Sequence, residues 1–179
     1  MKSVMLSIQP KWVEKIVTGE KTIEVRKSAP KEVPVKAYIY ETKGATEMPW
    51  VDEDGHFIYK GRGQVIGEFI CDKVEKFLVG GLLSDDIEKL ACLSYTETIN
   101  YFYKPEELDG KTAKFGYAWH ISDLKIYDKP KELNEFKRWD RTEENAPCAH
   151  TKWLYPDCKD CKECNLTRSP KSWCYVEEA

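Results

Sequence analysis

Gly19-Glu20-Lys21-Thr22-Ile23-Glu24-Val25-Arg26 is the stretch on which the fold turns. Ile23 and Val25 are β-branched and alternate with Glu24 and Arg26, a period of two that predicts a strand. Thr22, Glu24 and Arg26 then share one face, and Ile23 and Val25 the other. Lys21 stands at the mouth of the strand, where the pleat does not fix its direction. An acid and a base two residues apart on one face suit a pair held in place and offered to a ligand. On residue types alone they also fit a solvated strand edge, where an ion pair contributes about 0–1 kcal/mol.

Upstream, Val4, Leu6 and Ile8 alternate with Met5, Ser7 and Gln9 as a first strand. Pro10 suits the first turn of a helix, Trp12, Val13, Ile16 and Val17 recur at helical spacing, and Gly19 fits the position after its end. Downstream, Pro30 and Pro34 bracket a turn before an extended run over 35–42, and residues 43–62 read as a long polar loop around Trp50 and Phe57. Gln64 to Asp72 read as a central strand with Glu68 its polar interior candidate. Ser84-Asp85-Asp86 opens a short helix, and Ser94-Tyr95-Thr96-Glu97 is a capping box for the next. Lys114 to Ile121 alternate, placing Phe115, Tyr117, Trp119 and Ile121 on one face. Leu133 and Phe136, three apart, predict a terminal helix over 129–139.

Gly19, Lys21, Glu24 and Arg26 match the G-x-K-x-x-E-x-R signature of the ASCH domain family, and the chain resembles that family over roughly residues 3 to 127. Ser7 to Trp12 with Val13 to Ile16 look like its strand-then-helix lead-in, and 63–69 and 116–121 like its central and closing strands. The resemblance implies an α+β fold, a PUA-like mixed β-barrel with flanking helices. The expected domains are the barrel over 1–139 and a Cys-rich C-terminal extension over 140–179. It also implies a cleft in which Lys21 and Arg26 bind phosphate or a base carbonyl while Glu24 orients them. Trp12 and Trp50 are added as stacking or lid residues for a base.

Three functions follow. The first is recognition of RNA or a modified nucleotide, in which Arg26→Ala weakens binding and leaves folding nearly intact. The second is hydrolysis in the same cleft by Lys21, Glu24 and Arg26, as a single-strand ribonuclease or a nucleoside amidohydrolase. Relatives of the amidohydrolase kind use a lysine, which Lys21 matches, and a threonine three residues on, where this chain has Glu24. The third is a protein-interaction adaptor acting through the tail.

Charge narrows the ligand. The net charge is −3. Residues 1–80 hold 13 Lys/Arg against 12 Asp/Glu, 81–147 hold 10 against 14, and 148–179 hold 5 against 5. No part is a basic face for duplex phosphates, so nucleic acid contact is confined to a local groove suited to a short single strand or one nucleotide.

Five of the seven cysteines follow residue 147. Cys148, Cys158, Cys161, Cys164 and Cys174, with His150 nearby, include a C-x2-C-x2-C run able to bite one tetrahedral metal. The tail has too little apolar mass to fold unaided, so a metal staple makes physical sense, with zinc as the expected ion. The run also resembles part of an iron–sulfur ligand pattern, and free thiols are the plain alternative. Cys71 and Cys92 lie in apolar settings and read as small core residues. No apolar run approaches the ~20 residues of a spanning helix and no signal-peptide core is present, so the expected location is the cytoplasm, away from membranes.

Overall fold

The computed structural model describes residues 1–44, 50–51, 57–58, 61–81, 84–107, 112–138 and 165–178. In chain order they form β1 (Ser3–Ile8), α1 (Pro10–Val17), β2 (Ile23–Arg26), β3 (Val35–Glu41), β4 (Trp50–Val51), β5 (Phe57–Ile58), β6 (Val65–Cys71) and β7 (Val74–Leu78). There follow α2 (Ser84–Leu90), α3 (Tyr95–Phe102), β8 (Phe115–His120), β9 (Ser122–Lys131), β10 (Phe136–Arg138) and β11 (Trp173–Glu178). The fold is α+β, as expected. The chain divides into two units, residues 1–13, 36–69 and 125–179 in one and 14–35 and 70–124 in the other.

The first unit is built on a six-stranded sheet in the order β10-β11-β1-β3-β6-β9. β1 lies at its centre, parallel to β3 and antiparallel to β11, with Met5 opposite Tyr38 on one side and Cys174 on the other. Met5, Tyr38, Tyr40, Val65, Phe136, Leu166, Cys174 and Val176 close into one apolar cluster, in which Tyr38 meets Phe136 edge to face at 4.8 Å. At its margin the Tyr127 hydroxyl donates to Glu68 at 2.5 Å, the Tyr38 hydroxyl donates to Glu178 at 3.0 Å, and Lys36 and Lys131 neutralise the two acids. Burial, reinforced by these carboxylates, raises both tyrosine pKa values. Glu68 is thus the half-buried polar group read from its strand.

The second unit has a three-stranded sheet, β2-β8-β7, with α2 and α3 packed on one face. Ile23, Val25, Phe77, Val79, Ile87, Ala91, Phe102 and Ala118 form its core. The expected capping box is present: the Ser94 hydroxyl accepts from Glu97 N–H, and Glu97 answers to Ser94 N–H at 3.0 Å. The backbone turns left-handed at Gly19, φ +78°, directly after α1.

Three expectations need correction. Among the described residues the strands make three separate sheets with edges at β10, β9, β2 and β7, so the implied barrel is not closed. The helix over 129–139 is instead the end of β9, one 3-10 turn at Leu133–Glu135, and β10. The 3-10 turn accounts for the three-residue spacing of Leu133 and Phe136, and Pro130 is tolerated because β9 is an edge strand. The loop over 43–62 contains the β4–β5 ladder. β8 alternates as expected, with Phe115, Tyr117 and Trp119 on one face, where Phe115 is exposed and Trp119 buried, and with Gly116 and Ala118 on the other, against the α2–α3 core. Their small size admits bulk from elsewhere: a Cβ on Gly116 would lie 2.5 Å from Phe77 and 2.7 Å from Phe102.

The C-terminal strand β11 sits between β10 and β1, so Trp173 to Val176 dock into the sheet. No described helix is long and apolar enough to cross a membrane.

Candidate functional site

The end of α1 and the start of β2 are fixed by backbone bonds that do not depend on side chains. Lys21 N–H donates to Lys15 O at 2.9 Å, Thr22 N–H to Leu90 O at 3.0 Å, and Ile121 N–H to Thr22 O at 3.0 Å. β2 then pairs antiparallel with β8, Glu24 opposite Trp119 and Arg26 opposite Tyr117. The Trp119 indole N–H donates to Ser28 O at 3.2 Å and pins the chain as it leaves β2.

This frame gathers Lys21, Glu24 and Arg26 into one cluster within the second unit. Glu24 is its hub. One carboxylate oxygen lies 3.0 Å from the Arg26 guanidinium and the other 3.4 Å from Lys21 Nζ. Lys21 also donates to Ala91 O at 2.6 Å. All three are buried, at 3%, 6% and 6% exposure. This excludes the solvated-edge alternative.

Burial is the largest influence on Lys21 and lowers its pKa, against the opposing pull of Glu24. A lysine so placed is an effective donor when charged and a usable base when neutral. The trio sets two cationic side chains about one acid in a poorly hydrated setting, a donor-rich arrangement suited to an anionic or carbonyl-rich ligand.

Residues that the sequence did not flag complete the surroundings. Tyr101, on α3, is 38% exposed and lies within electrostatic reach of Arg26 and Glu24. Its pKa is raised, chiefly by burial. The Lys27 ammonium lies 5.0 Å from the Tyr101 ring centre. Exposed aromatic and cation thus stand beside the buried trio. The one legible signal was the basic residue following Arg26; that a tyrosine 75 positions away would join it depends on tertiary packing.

Of the other expected site residues, Trp12 lies on α1 and Trp50 on β4, both in the first unit. Trp12 is half-buried, with Lys11 Nζ 4.2 Å from its ring. Cys174 is buried in the apolar cluster of the first unit. Cys148, Cys158, Cys161 and Cys164 lie outside the described residues, among which no group of three or more potential ligands gathers to hold a metal. Cys71 is a core residue, its thiol donating to Lys73 O at 3.3 Å and its pKa pushed up by burial to about 11. Cys92 is not core: it is half-buried, in a left-handed turn at φ +54°.

The sequence profile described as ASCH domain matches residues 6–170. No curated protein matches the chain. Among solved structures, the crystal structure of ASCH from Zymomonas mobilis is similar at a TM-score of 0.52 and 22% identity, over 74% of this chain and 75% of that one. Two mutant structures of the same Zymomonas mobilis protein also match. The tyrosine-to-phenylalanine mutant has a TM-score of 0.50 at 21% identity, over 75% of this chain and 78% of that one. The serine-to-alanine mutant has 0.50 at 22%, over 74% and 75%. At such identity the likeness extends to the fold alone.

Proposed function

The chain belongs to the ASCH domain family, and we propose that within it this protein binds RNA or a modified nucleotide at the Lys21–Glu24–Arg26 cluster. The observation that carries this function is the buried trio of two cations about one acid, flanked by the exposed ring of Tyr101. Arg26 offers a planar donor fork for a phosphate or base edge, Lys21 a second donor, and Glu24 keeps both in place. Tyr101 supplies a face for one base, and Lys27 a phosphate contact at the rim.

Hydrolysis in the same site is the second function, favoured by one feature, the lowered pKa of Lys21. As a neutral amine Lys21 would take a proton from a ribose hydroxyl or water, and Arg26 would stabilise developing phosphate charge. An acyl-transfer route of the amidohydrolase kind has Glu24 where its threonine would be. The Cys-rich segment is proposed as a zinc staple using four of its five cysteines.

Titration of fluorescent single-stranded RNA separates the two functions, with products analysed after incubation. Binding without cleavage, weakened at least about tenfold in Arg26→Lys by loss of the planar fork, supports recognition. Cleavage that disappears in Lys21→Met moves the assignment to hydrolysis. Equal affinity in wild type and both variants overturns the site.

A further inference from the structure

The three-stranded sheet of the second unit has two unlike faces. Register places Ile23, Val25, Gly116, Ala118, Phe77 and Glu75 on the face covered by α2 and α3. The other face carries, across the strands, Glu24–Trp119–Val74, then Arg26–Tyr117–Lys76, then Phe115–Leu78. Exposure climbs along it: Trp119 is fully buried, Tyr117 half-buried, and Phe115 and Leu78 are 48% and 44% exposed.

We propose that this outer face is a base-stacking track for single-stranded RNA, running from Arg26 over Tyr117 to Phe115, with Lys76 as a phosphate contact. The track rests on the function assigned to the Lys21–Glu24–Arg26 cluster and extends it beyond one nucleotide. Charge complementarity is the first ground. Strand alternation turns Glu75 to the opposite face, so among these register positions Glu24 is the one acid, and it is already ion-paired with Arg26 and Lys21. Lys76 makes no ion pair among the described residues; its ammonium lies 4.3 Å from the Phe115 ring centre. A cation–π contact at an exposed position is weak, so an incoming base can take the ring while the ammonium swings to the adjoining phosphate.

Spacing is the second ground. Arg26, Tyr117 and Lys76 sit on neighbouring strands, so the outer two are about 10 Å apart. Aromatic faces alternating with cations over that span suit successive bases and phosphates, and stacking tolerates any sequence because every base has a π-face. The track is continuous with the candidate site, since Arg26 belongs to both. A protein partner would be served better by the apolar residues without interposed lysine.

The test uses the full chain and two labelled RNA probes, a dinucleotide and an eight-nucleotide single strand, read by fluorescence anisotropy. Phe115→Ala and Lys76→Ala remove exposed groups, and circular dichroism verifies that both variants fold. Phe115→Ala is expected to weaken the eight-mer about tenfold, the loss of one stacked base. Lys76→Ala is expected to reduce its salt slope by about one. Dinucleotide affinity stays at the wild-type value in both. Unchanged eight-mer binding in both variants, with Arg26→Lys still weakened, overturns the track and leaves the site standing. Failure of the wild type to bind either probe removes the site, and the track with it. A dimer in sedimentation that Phe115→Ala abolishes assigns the face to a second copy of the chain and overturns the RNA track.

Discussion

Glu24→Gln is the perturbation that bears most directly on the cluster. The variant keeps shape and removes charge, leaving Lys21 and Arg26 buried without their common acid. Breaking a buried ion pair by deleting one partner costs about 3–5 kcal/mol. For a chain of this size each kcal/mol moves Tm by about 2–4 °C, so the expected drop is roughly 6–20 °C. Lys21 moderates the loss. Without Glu24, which pulls its pKa upward, Lys21 sheds its proton more readily and the repulsion is relieved as pH rises. The Tm difference between wild type and variant is therefore larger at pH 6 than at pH 9. Lys21→Met placed in the Glu24→Gln background recovers part of the loss, so the two changes are non-additive. Differential scanning calorimetry of the four proteins at both pH values gives every quantity. A Glu24→Gln protein that melts within about 2 °C of wild type at both would show that the trio is hydrated and that Glu24 is not its hub.

Three further outcomes are expected. Gly116→Ala forces a methyl into contact with Phe77 and Phe102 and destabilises by about 1–3 kcal/mol in urea unfolding, whereas Tyr117→Phe, which changes no volume of note, stays near wild type. The lowered Lys21 pKa means that, below the ordinary lysine value, the unfolded chain binds more protons at this group than the native one; its contribution to stability therefore rises with pH across that window, and Lys21→Met should flatten the slope. Elemental analysis of purified protein should find about one zinc per chain, lost with a chelator, and protein free of both zinc and iron ends the staple.

Much of this fold is written in local pattern. Alternation identifies β1, β2 and β6, Pro10 and Gly19 bracket α1, and Ser94 with Glu97 starts α3, because each depends on neighbours a few residues away. Where the deciding partner is remote, pattern misleads. The spacing of Leu133 and Phe136 looks helical, yet Phe136 belongs to a strand paired with β11, some 40 residues later. The alternation of β8 is legible, but not that Phe115 is exposed while Trp119 on the same face is buried, nor that Gly116 and Ala118 leave room on the other face for Phe77 and Phe102. The site follows the same division. Lys21, Glu24 and Arg26 are recognisable from their motif, but their burial is not: three charged residues within the six from Lys21 to Arg26 read as surface until the Ala91 carbonyl, 70 positions away, and mutual pairing compensate them. Tyr101 carries no local mark at all.

Lys21, Glu24 and Arg26 form the floor of the proposed nucleotide site. A crystal of the protein soaked with a nucleoside monophosphate tests it most directly. The predicted result is a phosphate or base edge within hydrogen-bond distance of the Arg26 guanidinium, its base against Tyr101. Density found only on the first unit, with the ion pairs of Glu24 unchanged and Arg26 untouched, would contradict it.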